Sequence, residues 1–263
     1  MKKTAVITGA SSGIGLATAN MLSKLGYKVY DLSRNGKSHD NISHISCDIT
    51  DTENVHTAIS NIISLENKID ILINNAGFGI SGAIEYTDLE YAKKQLEVNF
   101  WGTTNMVKEV LPHMRKAKSG KIINISSVAA VVPIPFQAYY SISKSAINTY
   151  TIALANEIKR FNIQVSSIMP GDTKTSFTAS REKIPVGDDV YNGVISRSIN
   201  RMEKDEQSGM TPEQIATFIC KIVKKKKVKP LYTIGLKYKI VVFLINILPH
   251  KLSNALIAKF YAE

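Results

Sequence analysis

Thr8-Gly9-Ala10-Ser11-Ser12-Gly13-Ile14-Gly15 joins a strand-like run, Thr4–Thr8, to residues 14–25, whose apolar positions recur at helical spacing. The stretch has the physics of a phosphate-cradling turn. Gly9 permits a sharp bend, Gly13 lets backbone approach a pyrophosphate, and Gly15 lets helix and sheet pack closely. Ser11, Ser12 and Ile14 complete the turn, and the helix that follows offers unpaired N–H groups to an anion. Outward from this point the chain alternates short apolar runs with helical stretches. Strands are predicted over 27–32, 42–47, 69–73, 121–125, 164–169 and 231–234. Helices are predicted over 50–65 (capped by Thr50 or Asp51), 89–116 with a break near Gly102, 137–161, and from Thr211-Pro212-Glu213 onward. This alternation specifies helices on both faces of a parallel sheet. The fold class is α/β: a single-domain Rossmann-type doubly wound sheet with core 3–234, a variable lid with short helices at 172–210, and a C-terminal helical extension at 235–263.

Composition agrees with one large domain. Of 263 residues 44% are hydrophobic and 21% charged, which excludes general disorder. Cys47 and Cys220 are too few for a disulfide scaffold and read as buried thiols in a reducing compartment. The first residues do not extend into an export signal, no stretch reaches membrane-spanning length, and a cytoplasmic location is expected. No metal site is predicted. The net charge of +11 is localised: residues 221–263 hold ten lysines against Glu263, while residues 1–220 hold 23 bases and 21 acids. Nucleic-acid binding is therefore not expected, although the tail could meet a local anionic partner.

The Thr-Gly-x-x-x-Gly-x-Gly spacing resembles the short-chain dehydrogenase/reductase family, and the resemblance covers roughly residues 3–234. It implies a nicotinamide dinucleotide along the strand ends. An acid at the end of the second strand would favour NAD. That place holds Ser33 and Arg34, a neutral donor and a guanidinium, which suit the 2′-phosphate of NADP. Asp31 lies two positions early and is expected to point elsewhere. Asp48, followed by Ile49, resembles the family position that meets the adenine amino group; a helix cap is the plainer reading. Asn74-Asn75-Ala76-Gly77 matches the family's Asn-Asn-Ala-Gly beside the adenosine ribose, with Asn side chains tying strands together. Pro170-Gly171-Asp172-Thr173-Lys174-Thr175 matches its Pro-Gly-x-x-x-Thr, which implies that Thr173 backbone meets the carboxamide and Thr175 a phosphate.

Tyr140 and Lys144 stand four apart on one helix face. A lone pair of this kind is common by chance, but Ser127 ends the fifth buried strand thirteen residues earlier, the family spacing, and Asn99 occupies the place of the family's fourth catalytic residue. The resemblance implies that Tyr140 exchanges a proton with the substrate oxygen, tuned by Lys144 toward working pH. It implies that Ser127 bonds that oxygen, Lys144 also holds the nicotinamide ribose, and Asn99 holds a relay water.

Residues 240–248 form an apolar run too short to span a bilayer. Three readings stay open: a core or dimer helix, a cover over the substrate pocket, or a peripheral membrane contact anchored by Lys224–Lys227. Val131 to Phe136 form an apolar wall near Ser127. The extension and this wall resemble the hydroxysteroid and retinol dehydrogenase-like branch. The expected activity is NADP-dependent interconversion of a secondary alcohol and a ketone on a bulky apolar steroid-, retinoid- or lipid-like substrate. The alternatives are a 3-oxoacyl-carrier reductase and, from another class, a non-catalytic NADP-sensing or membrane-associated binding protein. A homo-oligomer, dimer or tetramer, through the 99–118 and 137–161 helices is what the family implies.

Overall fold

The computed structural model describes residues 2–39 and 41–262; Asp40 and the two ends of the predicted domain, Met1 and Glu263, lie outside the described residues. In chain order the elements are β1 (Thr4–Thr8), α1 (Gly13–Lys24), β2 (Lys28–Ser33), β3 (Ile42–Ser46), α2 (Thr52–Glu66), β4 (Ile71–Asn74), β5 (Ile80–Gly82), α3 (Leu89–Leu96) and α4 (Gly102–Ala117). They continue with β6 (Gly120–Ile125), α5 (Ala138–Ile158), β7 (Ile163–Met169), β8 (Glu182–Ile184), α6 (Val194–Gln207), α7 (Pro212–Lys224), β9 (Leu231–Thr233), α8 (Leu236–Ile247) and α9 (His250–Tyr261).

Seven strands make one parallel sheet in the order β3-β2-β1-β4-β6-β7-β9. Two cores flank it. Ile59, Ile62, Met106, Val110 and Leu154 pack α2, α4 and α5 on one face. Leu22, Ile215 and Ile219 pack α1 and α7 on the other. Ile7, Ile73 and Ile123, on neighbouring central strands, are fully buried, and each contributes about 1.5–3 kcal/mol relative to exposure. Strand order reverses between β1 and β4, which opens a crevice beyond their C-terminal ends.

Local chemistry explains the helix ends that frame the crevice. Asp51, one of the two predicted caps, accepts from the N–H groups of Glu53 and Asn54 and starts α2. Thr211 and Gln214 close a capping box at α7, whose first position is Pro212. The predicted break near Gly102 is a π turn at Glu97–Trp101, between α3 and α4. Gly102 lies directly against Ile49, whose side chain would meet any Cβ there at 2.6 Å.

Two expectations are corrected, the lid and the lysine anchor. The lid is more ordered than predicted: β8 pairs in parallel with β5, and α6 runs for fourteen residues. The tail forms the predicted helical extension as two helices, and of the readings left open for 240–248 the cover over the pocket matches α8, which lines the end of the crevice. Lys224–Lys227 cannot anchor that helix. The end of α7 returns to the N-terminal edge of the sheet, where the Lys121 ammonium at the start of β6 donates to the carbonyls of Ile222, Val223 and Lys225. The lysine run therefore sits at the opposite edge from the crevice.

Candidate active site

A cavity of about 910 Å³ follows the C-terminal ends of the strands. Every predicted site residue lines it except Gly15 and Asn99. Gly15 lies beneath the turn, where a Cβ would run into the Gly9 carbonyl and the Asn75 amide. Gly9 (φ +66°) and Gly13 (φ +54°) adopt the left-handed conformation that the bend requires. Ser12 is the N-cap of α1, and its hydroxyl makes no capping bond among the described residues. The first-turn N–H groups therefore lie open at the wall formed by Ser12, Gly13 and Ile14, where an anion would satisfy them.

The turn is held from behind by a residue predicted only to point elsewhere. Asp31 is buried, and its carboxylate accepts from the Ala10 N–H (2.8 Å) and the Ser33 hydroxyl (2.8 Å), with His44 Nδ1 at 3.2 Å. This corrects the role of Ser33. It lines the cavity, but its donor hydrogen is committed to Asp31, leaving Arg34 as the positive group at this corner. Residues two apart on a strand share a face, a signal that could have revealed the Asp31–Ser33 bond. Across the crevice, the Thr8 hydroxyl accepts from the N–H groups of Asn75 and Ala76, and Asn75 Nδ2 donates to the carbonyls of Thr8 and Gly9. Asn74 donates to Asn124 on β6 at 2.9 Å. The two asparagines thus tie β4 to both neighbours, as predicted. Asp48 is not the helix cap. It accepts from the N–H and hydroxyl of Thr50, which hold its carboxyl below the usual range, and Arg34 adds to this.

At the other end of the cavity, Ser127 follows β6 and caps a short 3-10 turn. Its oxygen accepts from the Ala129 N–H at 3.1 Å, which leaves its own hydrogen free to donate. Tyr140 is on the first turn of α5, and Lys144 lies one turn further on, with its Nζ 5.7 Å from the centre of the Tyr140 ring. The Lys144 ammonium is buried and donates to the Ile125 carbonyl at 2.9 Å. Burial lowers its pKa to about 8. Burial raises the Tyr140 phenol to about 12, while the Ser127 side chain pulls it down. Desolvation is the larger of the two effects on the phenol. Asn99, fully buried on the π turn, accepts from the Phe78 N–H and donates to the Phe78 carbonyl and the Ser143 hydroxyl. Its side chain clamps the 77–78 loop and does not line the cavity.

Sequence reading missed the lid contacts. Phe177 packs against the Tyr140 ring at 5.6 Å, Arg181 lies over Phe177, and Arg181 pairs with Glu206 of α6. An apolar wall comes from the tail, where Tyr238, Val241, Ile245 and Ile257 pack with Val128, Val132 and Met169; Arg201, Asp205, Glu206 and Lys237 also line the cavity. The Tyr238 hydroxyl donates to the Asp172 carboxylate at 2.7 Å and accepts from the Asp172 N–H, fastening α8 to the Pro170-Gly171-Asp172 loop.

An uncapped helix start beyond a glycine turn, facing a Ser–Tyr–Lys set across one cavity, defines a dinucleotide-dependent oxidoreductase. Comparison with known proteins agrees. The family model described as short chain dehydrogenase matches residues 3–184, and the chain belongs to the short-chain dehydrogenase/reductase family. It is 45% identical over 226 residues to a 3-ketodihydrosphingosine reductase of Bacteroides thetaiotaomicron, covering 84% of this chain and 83% of the relative. The fold is similar to a crystal structure of a short-chain dehydrogenase from Streptomyces avermitilis, with TM-score 0.82, 24% identity, and 98% and 95% of the two chains covered. It is also similar to ElxO with NADP bound, with TM-score 0.76, 26% identity, and 91% and 100% covered.

Proposed function

We propose that this protein reduces a ketone on a long apolar chain, with NADPH as the hydride source. The observation that carries the reading is the shape of one cavity. A helix start with open N–H groups stands at one end, and Ser127, Tyr140 and Lys144 stand at the other beside a wall of tail side chains. The Bacteroides relative is named for 3-ketodihydrosphingosine, and that resemblance favours a lipid ketone over a steroid or retinoid.

Gly9, Ser11, Ser12, Gly13 and Ile14 would hold the pyrophosphate, Arg34 the 2′-phosphate, and Asp48 and Ile49 the adenine. Asn75, Ala76 and Gly77 would border the adenosine ribose, and Pro170, Gly171, Thr173 and Thr175 the nicotinamide end. The bound cofactor supplies a hydride at the carbonyl carbon. The Ser127 hydrogen, left free by the Ala129 contact, bonds the carbonyl oxygen and stabilises the negative charge that grows there. The Tyr140 phenol, kept protonated by burial, donates its proton to the same oxygen. The Lys144 ammonium, oriented by the Ile125 carbonyl, favours the phenolate that remains and returns the proton. Trp101 and Ile152, exposed beside α4 and on α5, support assembly of copies through these helices.

The test is a series of 3-keto substrates of increasing chain length, followed through loss of reduced-nicotinamide absorbance. The expected result is kcat/KM rising with chain length, and Tyr140→Phe abolishing turnover while cofactor still binds. Preference for short or rigid fused-ring ketones would sink the substrate reading, and substantial turnover by Tyr140→Phe would sink the mechanism.

A further inference from the structure

α8 breaks the usual rule for a surface helix. Tyr238, Val241, Val242 and Ile245 face inward onto the cavity wall. The opposite face carries Leu236, Ile240, Phe243, Leu244 and Ile247, each at least 42% exposed. A helix that is apolar on all sides belongs inside something. α9 repeats the pattern: Ser253 and Ile257 are buried, whereas Leu252, Leu256 and Phe260 are exposed at intervals of four residues. The two exposed stripes lie on consecutive helices at the cavity wall. Leu244, Leu256 and Phe260 are both exposed and part of the cavity lining, so this apolar face reaches the edge of the cavity.

Charge restricts what can cover the face. Between residues 236 and 262 the sequence holds Lys237, Lys239, Lys251 and Lys259 and no acid. A second copy seated by two-fold symmetry would set these lysines against themselves and close the mouth. An anionic lipid surface would neutralise the lysines, take up the apolar stripes and leave the mouth facing hydrocarbon. Among the described residues no helix is long and apolar enough to cross a membrane, so the pair can only lie in the interface.

We propose that α8 and α9 seat this protein on an anionic membrane surface, with the cavity mouth opening into the lipid. The seating stands on charge and exposure alone; the idea that substrate enters from the bilayer rests on the long-chain reading above.

The test is flotation of the full-length protein with phosphatidylcholine vesicles, with and without phosphatidylserine, at low and high salt. The expected result is binding that requires phosphatidylserine, falls in high salt, and weakens about fivefold for each of Lys239→Ala and Lys251→Ala. Phe243→Asp with Ile247→Asp, exposed positions outside the cavity lining, should lose binding by tenfold or more while NADPH binding and melting temperature hold. Failure to float with either vesicle would overturn the proposal, as would binding unchanged in the double variant. An oligomer that dissociates in that variant, without vesicle binding, would assign the face to a second copy instead. Flotation needs no turnover, so the seating and the substrate reading can fail separately.

Discussion

Arg34→Ala tests which dinucleotide the cavity prefers. Asp31 is turned into the protein and saturated by Ala10, Ser33 and His44, so it is not available to a ribose 2′-hydroxyl. Ser33 has spent its donor on Asp31, so on the proposed reading Arg34 would carry the contact to a 2′-phosphate almost alone. A hydrogen bond to a charged group contributes about 1.5–3 kcal/mol. Arg34 is exposed, so the lower end applies, and about 1.4 kcal/mol corresponds to tenfold in affinity. The expected outcome is NADPH binding weakened roughly 10-fold to 15-fold, with NADH changed less than about twofold. The contact is at the surface, so the preference of the unaltered protein for NADPH should also shrink between 0.1 and 1 M salt, as the screening length falls from about 10 to about 3 Å. Calorimetric titration with both cofactors gives all these values. Equal affinities in the unaltered protein, or an Arg34→Ala variant that loses both cofactors alike, would refute the reasoning.

Two further outcomes follow from the site. Burial sets Lys144 to titrate near 8, below its ordinary value, so its charged form is lost as pH rises through that point; kcat/KM for ketone reduction should hold below about pH 8 and fall above it, and a profile flat to pH 10 would be incompatible with a working ammonium there. Gly15→Ala places a Cβ 2.6 Å from the Asn75 amide nitrogen and 2.9 Å from the Ala10 backbone, and should cost about 1–3 kcal/mol in urea unfolding and loosen the dinucleotide turn; an unchanged midpoint would show that the turn yields freely.

Much of this was legible in the chain. β1 ends where Thr4–Thr8 predicts, because a run of small and β-branched apolar residues buried on both faces has no other comfortable place. The glycine turn was readable because three glycines at that spacing have one physical use between a strand and a helix. The catalytic side chains were found through motif spacing, and the structure brings Ser127, Tyr140 and Lys144 to one cavity. The β5–β8 ladder was invisible, since three-residue strands carry no period. α9 mixes polar and apolar residues over only twelve positions, too few for a clear pattern. The committed hydroxyl of Ser33 and the clamped amide of Asn99 depend on rotamers, and spacing does not encode them. The phenol's upward shift depends on the solvent that the lid and tail exclude, which only the assembled chain reveals.

The Lys121 ammonium has a consequence for how the chain can be cut. It stands in the first residues of β6 yet draws three carbonyls from around the end of α7, a hundred positions downstream. The segment matched by the family model stops at residue 184. A fragment ending there would leave that ammonium to water and bare the flank that Ile215, Ile219 and Ile222 shield. The part of the chain that marks its ancestry thus lacks one wall of its own core, and the cation finds its seat only once the last quarter of the chain is in place.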